Sequence, residues 1–210
     1  QPTASAAPTF TLVQTPSPTP SSFMVALQAA YCFADCTLVD QVGGGLAQLV
    51  NGAACRTGIG IEFDGVDDYA ELADVPIGGA TTVAVWVRVD SLDGVKQQIF
   101  EFGDEGSDDG IKLDVSTDGH LWWGIDDGLG WAGASATDAV RTGQWMHVVG
   151  THEGSTMNLF VNGQLAGQTT AAWEMQVETR AVHYLGRAVG WWFDWNCYSL
   201  HGAIQNFQLW

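Results

Sequence analysis

The segment Thr81–Val89 reads Thr-Thr-Val-Ala-Val-Trp-Val-Arg-Val, with a valine at positions 83, 85, 87 and 89. A strict period of two puts the valines on one face of a strand and Ala84, Trp86 and Arg88 on the other. The same grammar recurs along the chain. Asn158–Val161 and Gln164–Thr169 flank Asn162-Gly163, the dipeptide that suits a two-residue hairpin with both central residues at positive φ. Asp118-Gly119 marks a similar turn between Lys112–Val115 and His120–Ile125. Further strands are predicted at Phe23–Phe33, Ile59–Phe63, Tyr69–Leu72, Gln97–Phe102, Trp145–Thr151, Ala181–Gly186 and Ala203–Trp210. No segment sustains a helical period with caps, so the chain reads as an all-β sandwich or jelly roll.

The composition changes near residue 22. Five of the six prolines (Pro2, Pro8, Pro16, Pro18 and Pro20) fall in the first 20 residues, among Thr, Ser and Ala, and no charged side chain precedes Asp35. Such a segment favours extended, polyproline-like chain. Residues 1–22 are therefore read as an arm and 23–210 as one domain. Within the arm, Thr9-Phe10-Thr11-Leu12-Val13 alternates well enough to add to a sheet edge, which makes Phe10 and Leu12 candidate assembly residues.

Seven Lys and Arg stand against 24 Asp and Glu, a net charge of −17. That field repels phosphate backbones and anionic membrane surfaces and excludes nucleic-acid binding. No run of 18 apolar residues is present to form a membrane-spanning helix. Four cysteines lack the paired spacing of a structural zinc site. They are read as disulfides of an oxidising, extracellular compartment, with Cys32–Cys197 and Cys36–Cys55 favoured among three possible pairings. The chain begins at Gln1, which fits a signal peptide already removed.

Several short motifs, in order, resemble the laminin G-like (concanavalin A-like) jelly-roll family. Phe63-Asp64-Gly65-Val66-Asp67-Asp68-Tyr69 is similar to its FDG-x-DDY segment, and Thr82–Val87 to its T-x-x-x-W-V strand. Trp145-Met146-His147-Val148-Val149 and Leu159-Phe160-Val161-Asn162-Gly163 resemble two more family strands. Leu185-Gly186-Arg187 and Gly202-Ala203-Ile204 resemble the closing portion, so that the likeness spans roughly 23–210. It implies a jelly roll used in extracellular recognition, with Trp86 and Trp145 at family-typical core positions and His147 structural. The family's last strand usually carries an Asp that helps to hold Ca²⁺. Here Gln205-Asn206 stands in its place, which weakens the expectation of that ion.

Two acidic loops nevertheless invite a cation. Asp104, Glu105, Asp108 and Asp109 crowd together, Asp126-Asp127 form a second cluster, and Asp35 and Asp40 are further candidates near the family's first loop. Asp35, Asp40, Asp104, Asp108 and Asp109 are thus the candidate Ca²⁺ ligands, set against the plainer reading of solvated loops. The aromatics point elsewhere. Alternation in His120–Ile125 buries Leu121, Trp123 and Ile125 and leaves Trp122 outside. Trp191-Trp192-Phe193-Asp194-Trp195 has no pattern that could bury every ring. Trp122, Trp131, Trp191, Trp192 and Trp195 are therefore the candidate ligand-binding residues.

No catalytic residue is assigned. Glycoside hydrolysis needs two carboxylates flanking the bond; Glu101, Asp104 and Glu105, at i, i+3 and i+4, do not fit a catalytic strand, and Asp114 and Asp118 are separated by a turn. No G-x-S-x-G elbow is present either. The chain is read as a non-catalytic extracellular recognition or adhesion domain that binds a glycan or a surface protein through exposed Trp. The alternative is a structural subunit of a fibre or sheath, joined to copies of itself through its arm. A glycoside hydrolase ranks third.

Overall fold

The computed structural model describes residues 26–92, 94–104, 109–128, 130–171, 173–189 and 199–210. The first strands are β1 (Ala29–Cys32), β2 (Gln48–Val50), β3 (Ala54–Arg56), β4 (Gly60–Asp64), β5 (Tyr69–Glu71) and β6 (Pro76–Ile77). The middle of the chain gives β7 (Thr81–Val89), β8 (Gln97–Gly103), β9 (Asp109–Val115), β10 (Leu121–Asp127) and β11 (Trp131–Ala136). The remainder gives β12 (Trp145–Glu153), β13 (Thr156–Val161), β14 (Gln164–Thr170), β15 (Glu178–Thr179), β16 (Val182–Leu185) and β17 (His201–Leu209). Among the described residues the one short helical element is a 3₁₀ turn at Phe33–Asp35. Among the described residues no helix is long and apolar enough to cross a membrane.

Two antiparallel sheets carry the fold. One runs β14-β13-β12-β7-β17-β4-β3, with β1 also paired to β17; the other runs β11-β10-β9-β8-β16-β5-β2. The core lies between them. Val83, Val85, Val87 and Val89 of β7 all face inward as the alternation requires, joined by Ile204, Phe207 and Leu209 of β17. Opposite them stand Phe100, Phe102, Ile111, Leu113, Leu121, Trp123 and Ile125. Phe207 meets Phe100 and Phe102 edge-on at 5.5 and 5.3 Å, which knits the two layers together.

Both expected turns are present. Asn162 and Gly163 have φ of 51° and 78°, both left-handed as the hairpin needs, and Gly119 turns β9 into β10 at φ 81°. Cys36 and Cys55 form a disulfide with Cα atoms 5.6 Å apart, tying the 3₁₀ turn to β3. Cys32 has no disulfide partner among the described residues, and Cys197 lies outside them. The arm with Phe10 and Leu12 lies outside them too.

One expectation needs correction. Trp86 and Trp145 are not core residues. Trp86 shares its strand face with Ala84 and Arg88, away from the valines, and is 38% exposed. Trp145 is half-buried, with the Arg88 guanidinium 5.3 Å from its ring centre. The period of two was the sounder guide, because it assigns the face of every residue in a strand at once.

A tryptophan trough on the seven-stranded sheet

The outer face of the seven-stranded sheet carries a well-formed candidate site. On β10, Leu121, Trp123 and Ile125 are buried, whereas Trp122 is 37% exposed. Register then decides its neighbours. Trp122 lies opposite Asp114 on β9 and Ser135 on β11, and Gly124 lies opposite Lys112 and Gly133. Asp126 lies opposite Trp131, the first residue of β11, which is 54% exposed. The two indoles approach to 5.8 Å between centroids, tilted by 42°.

Glycine makes this possible. A Cβ on Gly133 would come within 2.9 Å of the Trp131 ring, and one on Gly124 within 3.5 Å of Trp131 Nε1. The missing side chain at Gly133 lets the Trp131 indole lie down across the sheet instead of standing off it, whereas a Cβ at 124 would only touch its Nε1 edge. The result is a trough of about 360 Å³ lined by Lys96, Lys112, Asp114, Ser116, Trp122, Gly124 and Trp131.

The polar wall of the trough is charged. The Asp114 side chain is buried, with Oδ2 2.7 Å from Lys96 Nζ. Its other oxygen, Oδ1, is buried with no hydrogen-bond partner. Burial pushes the Asp114 carboxyl above the usual carboxylate range, and Lys96 and Lys112 pull against that shift. Glu101 on β8 stands opposite Lys112; burial raises it as well, and Oε2 accepts a bond from the Val189 N–H at 3.3 Å. Ser116 donates to Asp118, whose Oδ1 is also 2.7 Å from His120 Nδ1. A buried acceptor between two ammonium groups, beside two tilted indoles, can stack on an apolar ring face and bond hydroxyls at its edge.

A raised carboxylate pKa is a statement about stability. The folded state holds this proton more tightly than the unfolded chain does. Stability therefore falls as pH climbs from about 3.9, the unfolded value, through the raised folded value, and the cost persists above it. Asp114→Asn is accordingly expected to raise the thermal midpoint at neutral pH, since Lys96 is 40% exposed and stays solvated without its partner. Thermal unfolding at pH 4 and pH 7.5 checks this. A variant less stable than the parent at pH 7.5 would show that the ion pair outweighs the burial cost.

The other candidate residues fare differently. Trp191, Trp192, Trp195 and Asp108 lie outside the described residues. Asp40 is buried and accepts bonds from the N–H groups of Ala30, Val42 and Gly43. Asp35 is exposed and accepts from the Thr37 N–H. Asp104 accepts from the Ala181 N–H at 2.6 Å, and Asp109 pairs with the buried Arg180 at 2.7 Å. These carboxylates serve turns and an arginine. Among the described residues, the one acidic group with ligand atoms within 4.8 Å of one another is Asp64, Asp67 and Asp68. There, Asp68 already accepts from the Gly52 and Asp64 N–H groups.

Sequence reasoning missed Lys96, Lys112, Asp114 and Ser116. One signal was available: Lys112 and Asp114 are two apart and so share the outer face of β9 with the neighbours of Trp122.

Two antiparallel sheets packed face to face, one bearing an aromatic and polar trough, define a lectin-like jelly-roll domain. The chain belongs to the concanavalin A-like lectin/glucanases superfamily, whose laminin G-like family model matches residues 64–210. No curated protein matches it in sequence. Among solved structures it is similar to domain 4 of AbnA, a GH43 extracellular arabinanase from Geobacillus stearothermophilus, in complex with arabinotriose. The TM-score is 0.67 at 19% identity, covering 87% of this chain and 91% of that one. The botulinum neurotoxin serotype D binding domain gives 0.68 at 13% identity, covering 88% and 48%; this chain thus spans about half of it. Mouse laminin α1 domains LG4-5 give 0.57 at 18%, covering 78% and 41%. These identities establish the shared architecture.

Proposed function

We propose that this chain is a non-catalytic extracellular glycan-binding domain and that the trough of Trp122 and Trp131 is its combining site. The observation that carries this reading is the buried, unpartnered Asp114 Oδ1 beside two exposed indoles. A buried acceptor without a donor costs about 1–3 kcal/mol, and a sugar hydroxyl relieves that cost while the ring stacks on tryptophan. Concentrating two of the chain's seven cationic side chains at this one place supplies further donors. The arabinotriose complex of the similar arabinanase domain is in keeping with such a use. The Cys36–Cys55 disulfide is in keeping with an oxidising compartment. Assembly through the arm rests on Phe10 and Leu12, outside the described residues, and no described feature favours it.

Affinity electrophoresis tests the reading. The chain is run through gels containing arabinan, xylan, β-glucan, mannan or starch. Retardation in at least one is expected, and most of it is lost in the Trp122→Ala, Trp131→Ala double variant. Free migration of the parent chain in every gel would end the proposal.

A further inference from the structure

The opposite sheet carries a second cleft that the trough does not involve. Register aligns Cys32 of β1, Asn206 of β17, Trp86 of β7 and His147 of β12 in one row across four strands. In the next row, Ala30 and Ala84 flank Gln208. Two alanines beside a row that contains Trp and His leave a hollow of about 200 Å³, with Gln41 at its edge. The Trp86 and His147 rings lie 5.1 Å apart and are tilted by 32°, a compact aromatic wall. The Asn206 Oδ1 is buried there with no hydrogen-bond partner.

The chemistry of this hollow is uncharged throughout. Beside the two alanines it is lined by Tyr31, Cys32, Gln41 and Gln208, none of them an Asp, Glu, Lys or Arg, and burial pushes the His147 imidazole below its usual value, which keeps the ring neutral. In a chain of net charge −17, a lining with neither carboxylate nor ammonium selects against ions of either sign. The volume lies below the about 300–1,000 Å³ of sites for drug-sized ligands, so it fits a single ring. The orphaned Asn206 acceptor asks for a donor. Each hydroxyl of a sugar carries one such donor, set around a ring that can lie against the Trp86 face.

We infer that the cleft of Trp86, His147, Asn206 and Gln208 is a second carbohydrate site, for one neutral sugar residue, on the opposite face from the trough. Such a domain holds two glycan segments at once, one on each sheet. The site stands independently of the trough: either can fail while the other binds.

The test uses the full chain labelled with ¹⁵N and titrated with arabinotriose, xylotriose, cellotriose, mannotriose and maltotriose. The Trp86 indole N–H and the side-chain amides of Asn206 and Gln208 report on this site, and the Trp122 and Trp131 indoles report on the trough. At least one sugar is expected to shift the first set. Trp86→Ala should abolish the amide shifts and spare the Trp122 and Trp131 response. Gln208→Ala, a milder change, should weaken binding at Trp86 about fivefold, the worth of one hydrogen bond. Shifts confined to Trp122 and Trp131 would overturn the inference and leave the proposed function standing. It is overturned equally if a peptide of residues 1–22 moves the Trp86 indole and no sugar does.

Discussion

Trp123→Ala is expected to destabilise the domain by about 3–5 kcal/mol, the range for emptying a large aromatic from a closed core. In a chain of this size that lowers the thermal midpoint by about 6–20 °C. Trp123 is fully buried, 6.2 Å from Phe100, and its Nε1 donates 3.1 Å across the sandwich to the Thr151 carbonyl on β12. Truncation therefore opens a void and removes that hydrogen bond. The neighbouring Gly150 faces inward on β12, and a Cβ there would overlap the indole. Gly150→Val should for that reason be destabilising as well, by about 1–3 kcal/mol of overpacking. Thermal or denaturant unfolding of both variants checks the packing, and midpoints equal to that of the parent would contradict it.

The second large effect concerns binding. Trp131→Ala removes the more exposed indole of the trough and leaves Gly133 and Gly124 bare. Loss of a central aromatic anchor costs about 2 kcal/mol, so Kd for the bound glycan should weaken about 30-fold. Stability should barely move, because Trp131 is 54% exposed. Titration of parent and variant, with unfolding midpoints in parallel, separates the two quantities. A variant that binds normally would place the combining site elsewhere. One that unfolds early would make Trp131 a packing residue.

The sandwich was legible in the sequence because its long strands keep a strict period of two and its hairpins carry Asn-Gly and Asp-Gly. The split of Trp122 from Trp123 followed from the same period, since adjacent residues in a strand cannot share a face. The strand at Trp131–Ala136 was not legible. Trp-Ala-Gly-Ala-Ser-Ala is poor in β-branched residues, and Gly133 is explained only by the ring that lies on it. That contact is tertiary, as is the pairing of Lys96 with Asp114 from before β8 to β9. The acids offered a different lesson. Asp35 and Asp40 looked like cation ligands by type, yet their oxygens accept backbone N–H groups at turns, a use that composition does not distinguish from metal binding.

The central claim is that Trp122 and Trp131 meet a sugar. The most direct measurement follows their indole N–H resonances while the full chain is titrated with the oligosaccharide that corresponds to the most strongly retarding polysaccharide. Both resonances are expected to shift together and to saturate at the Kd measured for the whole protein. If the protein binds that glycan while both indoles hold still, the trough is not the combining site and the account is wrong.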